Sequence, residues 1–94
     1  MYEISSSLYL EIAERLAEAV RSKSFFSGVV TLYDGDVECR LCCTLFISRS
    51  NENEPSGVER ITSMVPVWWE LKSSLFGEPL DNDFSFKTML TYLL

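Results

Sequence analysis

The stretch Val37–Arg49, VECRLCCTLFISR, decides the fold because apolar and mainly polar positions alternate along it. Its odd-numbered residues from Val37 to Ile47 are all apolar, whereas most of its even-numbered residues are polar. Alternation with a period of two over this length is typical of a β-strand that has one face in the core. We therefore predict a long strand here, with Cys39 and Cys43 facing the core and Cys42 facing outward.

A β-hairpin is predicted at the start of this strand, where Asp34-Gly35 separates it from a second apolar run, Phe25–Tyr33. An Asp-Gly pair between two such runs is the strongest short hairpin signal, because a type I′ turn needs positive φ at both central residues. A two-residue loop at these positions places Tyr33 opposite Asp36. The apolar residues of both strands then share one face, so the turn and the alternation predict the same hairpin.

Helices are predicted at both ends of the chain. The range 5–22 has its apolar residues on one arc of a helix, with a serine at 5, 6 or 7 available as N-cap and glutamates on the opposite, solvated side. The tail 84–94 has even-numbered positions that would suit a strand, but helix is preferred. Ser85 is placed to cap it, with Phe84 packed against Met89 as a hydrophobic staple.

A third strand is predicted over 59–72, between a polar loop at 50–57 and a second loop at 73–83. Pro66 cannot donate a hydrogen bond to a neighbouring strand, so the strand should lie at a sheet edge or bulge there. The result is an α+β fold in the order α-β-β-β-α, a three-stranded antiparallel meander in a single domain, 1–94. The residues of the third strand predicted to face the core are Ile61, Val65, Val67, Trp69 and Leu71.

The charge balance favours some partners over others. The chain has 14 acidic and 8 basic residues, a net charge of −6 and no histidine. Nucleic acids and anionic membranes are bound through clustered Lys and Arg, so neither is predicted as a partner. With no signal segment or membrane span in the sequence, and three cysteines that do not form a disulfide framework, we expect a cytoplasmic protein with reduced thiols.

The predicted α-β-β-β-α order resembles that of the double-stranded-RNA-binding domain. That family relies on a lysine cluster at the start of its C-terminal helix. This chain has Lys87 alone there, preceded by Asp81 and Asp83. The resemblance is therefore confined to the order of the elements, and RNA binding is not predicted.

No catalytic or metal site is predicted, and no cofactor. Cys39-x-x-Cys42-Cys43 has metal-ligand spacing, but alternation points Cys39 and Cys42 to opposite faces, and no histidine is present to complete a zinc site. Asp34-Gly35-Asp36 is explained by the turn, and Asp81-Asn82-Asp83 by turn chemistry before a helix. Lacking histidine, the chain has no Ser/His or Cys/His dyad, so we expect a non-enzymatic protein.

The outer face of the predicted sheet is unusually apolar for a surface in contact with water. Either the C-terminal helix covers it, or both helices pack on the other face and a second copy of the chain covers it. We favour a homodimer; another protein as partner, or a small-molecule pocket bordered by Trp68 and Tyr33, are the alternatives. The predicted interface residues are Val29, Tyr33, Phe46, Met64 and Trp68.

Overall fold

The computed structural model describes residues 1–50 and 60–94, which form an antiparallel sheet of four strands in the order β1-β2-β3-β4, with a helix before it and another after it. The α+β class and the terminal helices are thereby confirmed, and the structure adds a short fourth strand. The predicted loop at 50–57 lies outside the described residues from position 51 onward. The elements are α1 (Ser6–Val20), β1 (Phe25–Asp34), β2 (Val37–Ser50), β3 (Arg60–Leu75), β4 (Glu78–Leu80) and α2 (Phe86–Leu93).

Serine caps begin both helices, as predicted. The side chain of Ser5 accepts a hydrogen bond from the backbone N–H of Leu8, and that of Ser85 accepts one from Thr88. Each cap satisfies a donor that has no partner within the helix. The ambiguous tail is therefore a helix, with Met89 fully buried.

The β1–β2 hairpin is confirmed, but its predicted turn is wrong by one position. Asp34 pairs with Val37, so the two-residue loop is Gly35-Asp36 rather than Asp34-Gly35. Gly35 has a φ of 61° while Asp36 is not in the positive-φ region, which is the pattern of a type II′ turn. The register moves by two residues, and because side chains alternate with a period of two, every residue keeps its predicted face.

β3 departs from simple alternation at a β-bulge. Thr44 pairs with Trp68, but the next residue of β2, Leu45, pairs with Pro66, so Val67 is an extra residue. The predicted irregularity at Pro66 is thus confirmed, but the predicted faces of the residues just before the bulge are wrong. A second register shift after Ser63 leaves Ile61 packed against the core, as predicted. Met64, predicted on the outer face, is buried, whereas Val65 and Val67, predicted in the core, are exposed.

The predicted loop at 73–83 is partly wrong, because β3 continues to Leu75 and a second hairpin leads into β4. Phe76 and Gly77 form its two-residue turn, with φ values of 51° and 83°. Positive φ at both central residues is the type I′ pattern. The following segment does use the predicted turn chemistry, since the side chain of Asn82 accepts a hydrogen bond from the backbone N–H of Phe84.

Both helices pack on the same face of the sheet. α1 contacts α2 and β1, and the buried residues form one core cluster between the helices and the inward positions of the strands. The side chain of Arg49 on β2 reaches the end of α1, where Nη2 donates to the carbonyl of Val20 at 3.1 Å. The C-terminal helix therefore does not cover the outer face. The core residues include Ile12, Leu16, Val20, Leu32, Leu41, Leu45, Met64, Phe86 and Met89.

Candidate functional site

The outer face of the sheet carries a group of exposed apolar side chains at one end, which we call the outer patch. Phe25 of β1 pairs across the strands with Phe46 of β2, and their ring centroids are 5.2 Å apart. Phe46 pairs in turn with Val65 of β3. More than half of each of Phe46 and Trp68 is exposed, 54% and 51% respectively. The members of the outer patch are Phe25, Val29, Phe46, Val65, Val67 and Trp68.

The predicted interface residues do not all lie together. Val29, Phe46 and Trp68 belong to the outer patch. Tyr33 is on the same face, but it lies four residues beyond Val29, about 13 Å along the strand. Met64 is only 4% exposed and faces the helices, so it does not contribute to this surface.

Val65 and Val67 are the patch residues that the sequence analysis missed. Regular alternation from Trp69 backwards assigns both to the core, and the bulge reverses that assignment. Pro66 is the signal that could have located them, because proline within a strand is often associated with a bulge. It does not by itself show which neighbouring residue is the extra one.

The other end of the outer face is charged. Arg40 of β2 lies directly opposite Lys72 of β3, with Glu38 and Glu70 one alternation away on either side. Cross-strand neighbours of like charge repel, so the two acidic residues offset an otherwise unfavourable pair. The outer face thus changes from apolar to charged along its length.

Tyr33 belongs to this charged end. Its hydroxyl donates a hydrogen bond to Glu38 at 3.1 Å. This hydrogen bond, together with the negative charge of Glu38, raises the pKa of Tyr33 above its usual value. Tyr33 therefore presents a neutral ring and a partnered hydroxyl at neutral pH.

A groove of about 840 Å³ lies beside this charged end, where β3 meets β4 and the segment that follows β4. Trp69, Leu80 and Phe84 supply apolar lining. The charged lining is mixed, with the basic residues Arg40 and Lys72 and the acidic residues Glu38, Glu70 and Asp81. Neither Tyr33 nor Trp68 lines this groove, so it is not the pocket predicted on the sequence.

The cysteines are placed as predicted. Cys39 and Cys43 are buried, and Cys42 is half-buried on the outer face. Burial raises the pKa of both buried thiols to about 11, because desolvation disfavours the thiolate. Thiols with raised pKa values are poor nucleophiles and poor metal ligands at neutral pH. Within residues 1–50 and 60–94, no three Cys, Asp or Glu side chains are grouped to hold a metal ion.

Comparison with known proteins finds no family model, no curated protein and no solved structure that matches this chain. In the part of the chain that the structure describes, neither helix has the length and apolar character needed to cross a bilayer.

Proposed function

We propose that this chain is a small cytoplasmic, non-enzymatic interaction module that self-associates through the outer face of its sheet. The observation that carries the proposal is the outer patch, six exposed apolar side chains on a face that neither helix covers. Phe, Trp and Val side chains in such a group are costly to leave in water, and aromatic residues are enriched at protein interfaces.

Charge supports a second copy as the occupant. The molecule as a whole carries a net charge of −6, which opposes association between copies. The charged end of the outer face, however, has two acidic residues, Glu38 and Glu70, and two basic residues, Arg40 and Lys72. In a symmetric dimer the same surface faces itself, so a balanced face lets acid meet base.

Trp68→Lys is expected to halve the mass of the assembly. The substitution removes the largest side chain of the outer patch and places a charge among Phe46, Val65 and Val67, where a contacting surface would have to desolvate it. Sedimentation equilibrium over a range of concentrations measures the effect.

Phe76→Lys is the matched control for this experiment. Phe76 is 81% exposed in the β3–β4 turn, away from the outer patch, so the variant makes a similar aromatic-to-lysine change without touching the patch. Its mass is expected to equal that of the wild type. A wild-type protein that stays monomeric up to its solubility limit contradicts the proposal.

Small-molecule binding is the second candidate function, and the groove between β3 and β4 is the observation that favours it. Its volume of about 840 Å³ is in the range of ligand pockets, and it combines apolar walls with a few charged groups. Trp69 lines the groove, so a Trp68→Phe variant leaves one tryptophan to report occupancy. A bound metabolite is expected to change the fluorescence of that variant; an unchanged spectrum across a metabolite screen argues against this function.

A further inference from the structure

The two edges of the sheet differ in how open they are to pairing with a further strand. The β3 edge has several features that oppose such pairing. β4 pairs with Ser73 to Leu75, and beyond them the side chain of Asn82 donates to the carbonyl of Leu71 at 2.9 Å. Farther along, Pro66 has no backbone N–H to offer and the bulge at Val67 interrupts the strand. Such features are the usual means by which proteins prevent strand pairing at a sheet edge.

The β1 edge has none of these features. Phe25–Tyr33 contains no proline and no charged residue, and its register with β2 is continuous from Phe25 to Asp34. The edge strand of this sheet is therefore long, regular and mainly apolar. A strand of this kind is a ready template for pairing with another strand.

The hydrogen bonding of β1 shows which backbone groups are open. The N–H of Ile47 donates to the carbonyl of Ser24, so this pair is one of the hydrogen-bonded pairs of the antiparallel ladder. Hydrogen-bonded and non-bonded pairs alternate along the ladder. The backbone N–H and C=O groups of every second residue after Ser24 therefore bond to β2, and those of the residues between them point away from it. Among the described residues, no group donates to or accepts from these outward backbone groups, which belong to Phe25, Ser27, Val29, Thr31 and Tyr33.

We propose that two copies of the chain pair antiparallel through β1, with a two-fold axis at Val29, so that two four-stranded sheets join into one of eight strands. This register uses the whole strand and every open backbone group. On the outer face it places Phe25 opposite Tyr33 of the second copy and Ser27 opposite Thr31. Aromatic pairs and Ser–Thr pairs are favourable cross-strand neighbours.

The inner face of the joined strands is also complementary. The same register places Gly28, which the ring of Phe26 of its own chain covers, opposite the buried Val30 of the second copy, so apolar groups meet apolar groups. It places Phe26, which is half-buried, opposite Leu32, which is buried. No like charges meet anywhere along the pair, because the strand from Phe25 to Tyr33 has none.

The charges of α1 favour a second copy over an unrelated strand. A shallow groove beside the proposed axis is lined by Val29 and Val30 of β1 and by Arg15, Glu18 and Arg21 of α1. The two-fold axis brings this groove next to its own copy with the helices antiparallel. The groove of each chain, with the cations Arg15 and Arg21 and the anion Glu18, then faces the same mixed set of charges on the other chain.

This interface does not rest on the proposed function, since it uses none of the outer-patch contacts made by Trp68. The axis is perpendicular to the sheet, so the two outer patches lie side by side on the same face of the eight-stranded sheet. Edge pairing and packing through the outer face are therefore compatible, and each can fail without the other.

Disulfide trapping tests the register directly. In a Cys42→Ser/Trp68→Lys background, Val29→Cys places a thiol opposite its own copy at a Cα separation of about 5.5 Å, within the range of a disulfide. Thiols introduced by Thr31→Cys, the control, would be about 13 Å apart along the strands. Mild oxidation is expected to convert Val29→Cys to a covalent dimer at least about tenfold faster than Thr31→Cys. Equal rates for the two variants would overturn the proposed register.

Thr31→Pro tests the edge by removing one of its open N–H groups, which has no partner among residues 1–50 and 60–94. Added to Trp68→Lys, it is expected to weaken the remaining dimer at least about tenfold in sedimentation, while urea denaturation shows whether the variant is folded. A folded double variant as dimeric as Trp68→Lys overturns edge pairing. A monomeric Trp68→Lys variant would overturn edge pairing and support the outer-face proposal. A Trp68→Lys variant that keeps the dimer mass of the wild type would overturn the outer-face proposal and support edge pairing.

Discussion

An increase in pH from 8 to 11 is expected to lower the free energy of unfolding of this protein by about 4 kcal/mol. The cause is the pair of thiols at Cys39 and Cys43, whose pKa values burial raises from 9.0 to about 11 in the folded state. Below pH 9 both the folded and the unfolded chain keep these protons, so the stability is fully present. Between pH 9 and 11 the unfolded chain releases them first, and each thiol has then cost about 2 kcal/mol of stability by pH 11, since one pKa unit is worth about 1.4 kcal/mol.

Urea denaturation at pH 8 and at pH 11 measures this loss. The control is Cys39→Ala/Cys43→Ala, which is expected to be less stable at pH 8 but to lose far less stability between the two pH values. Its residual pH dependence is expected to come partly from Tyr2, whose pKa is raised by desolvation and by the hydrogen bond that its hydroxyl donates to Asp34. Parallel losses in the wild type and the double variant would contradict the assignment to the thiols.

Met64→Ala is expected to destabilise the fold by about 2–5 kcal/mol, the usual cost of truncating a buried methionine. Met64 is 4% exposed and pairs with Ile47, which also faces the core. The removed atoms leave a cavity between the sheet and the helices that the surrounding side chains fill only in part. Urea denaturation of the variant against the wild type measures the change.

Val65→Ala is the control for this experiment, because Val65 is the next residue along β3 and is 57% exposed. Its cost is expected to stay below about 1 kcal/mol, since surface substitutions change stability little. The comparison is informative because strict alternation along β3 predicts the opposite order. A larger loss for Val65→Ala than for Met64→Ala would mean that the bulge at Val67 is misplaced.

Local signals predicted much of this fold because they depend on neighbours in the chain. The alternation of Val37–Arg49 places Cys39 and Cys43 in the core, and the serines at 5 and 85 cap the two helices. The hairpin at Gly35 shows how robust such patterns are. Its loop lies one residue beyond the prediction, but a register change of two residues leaves every face as predicted.

The outer face could be predicted only in part. Phe46 and Trp68 were assigned to it correctly, because no extra residue interrupts the alternation between either of them and the regular part of its strand. Met64 was assigned to it wrongly, since an extra residue at Val67 reverses the faces of the residues from Ser63 to Pro66, before a second register shift restores the predicted face of Ile61. The position of a bulge depends on how β3 packs against β2, and no residue of β3 alone encodes it.

The sequence by itself determined the two helices and the three long strands, and which face of β2 is buried. Those properties follow from capping, turn residues and hydrophobic periodicity, all of which act over a few residues. Only the tertiary structure decided that α2 joins α1 on one face of the sheet, and that β1 rather than β3 has an open edge. These depend on contacts between residues far apart in the chain, such as Asn82 with Leu71, and such contacts leave no periodic signal in the sequence.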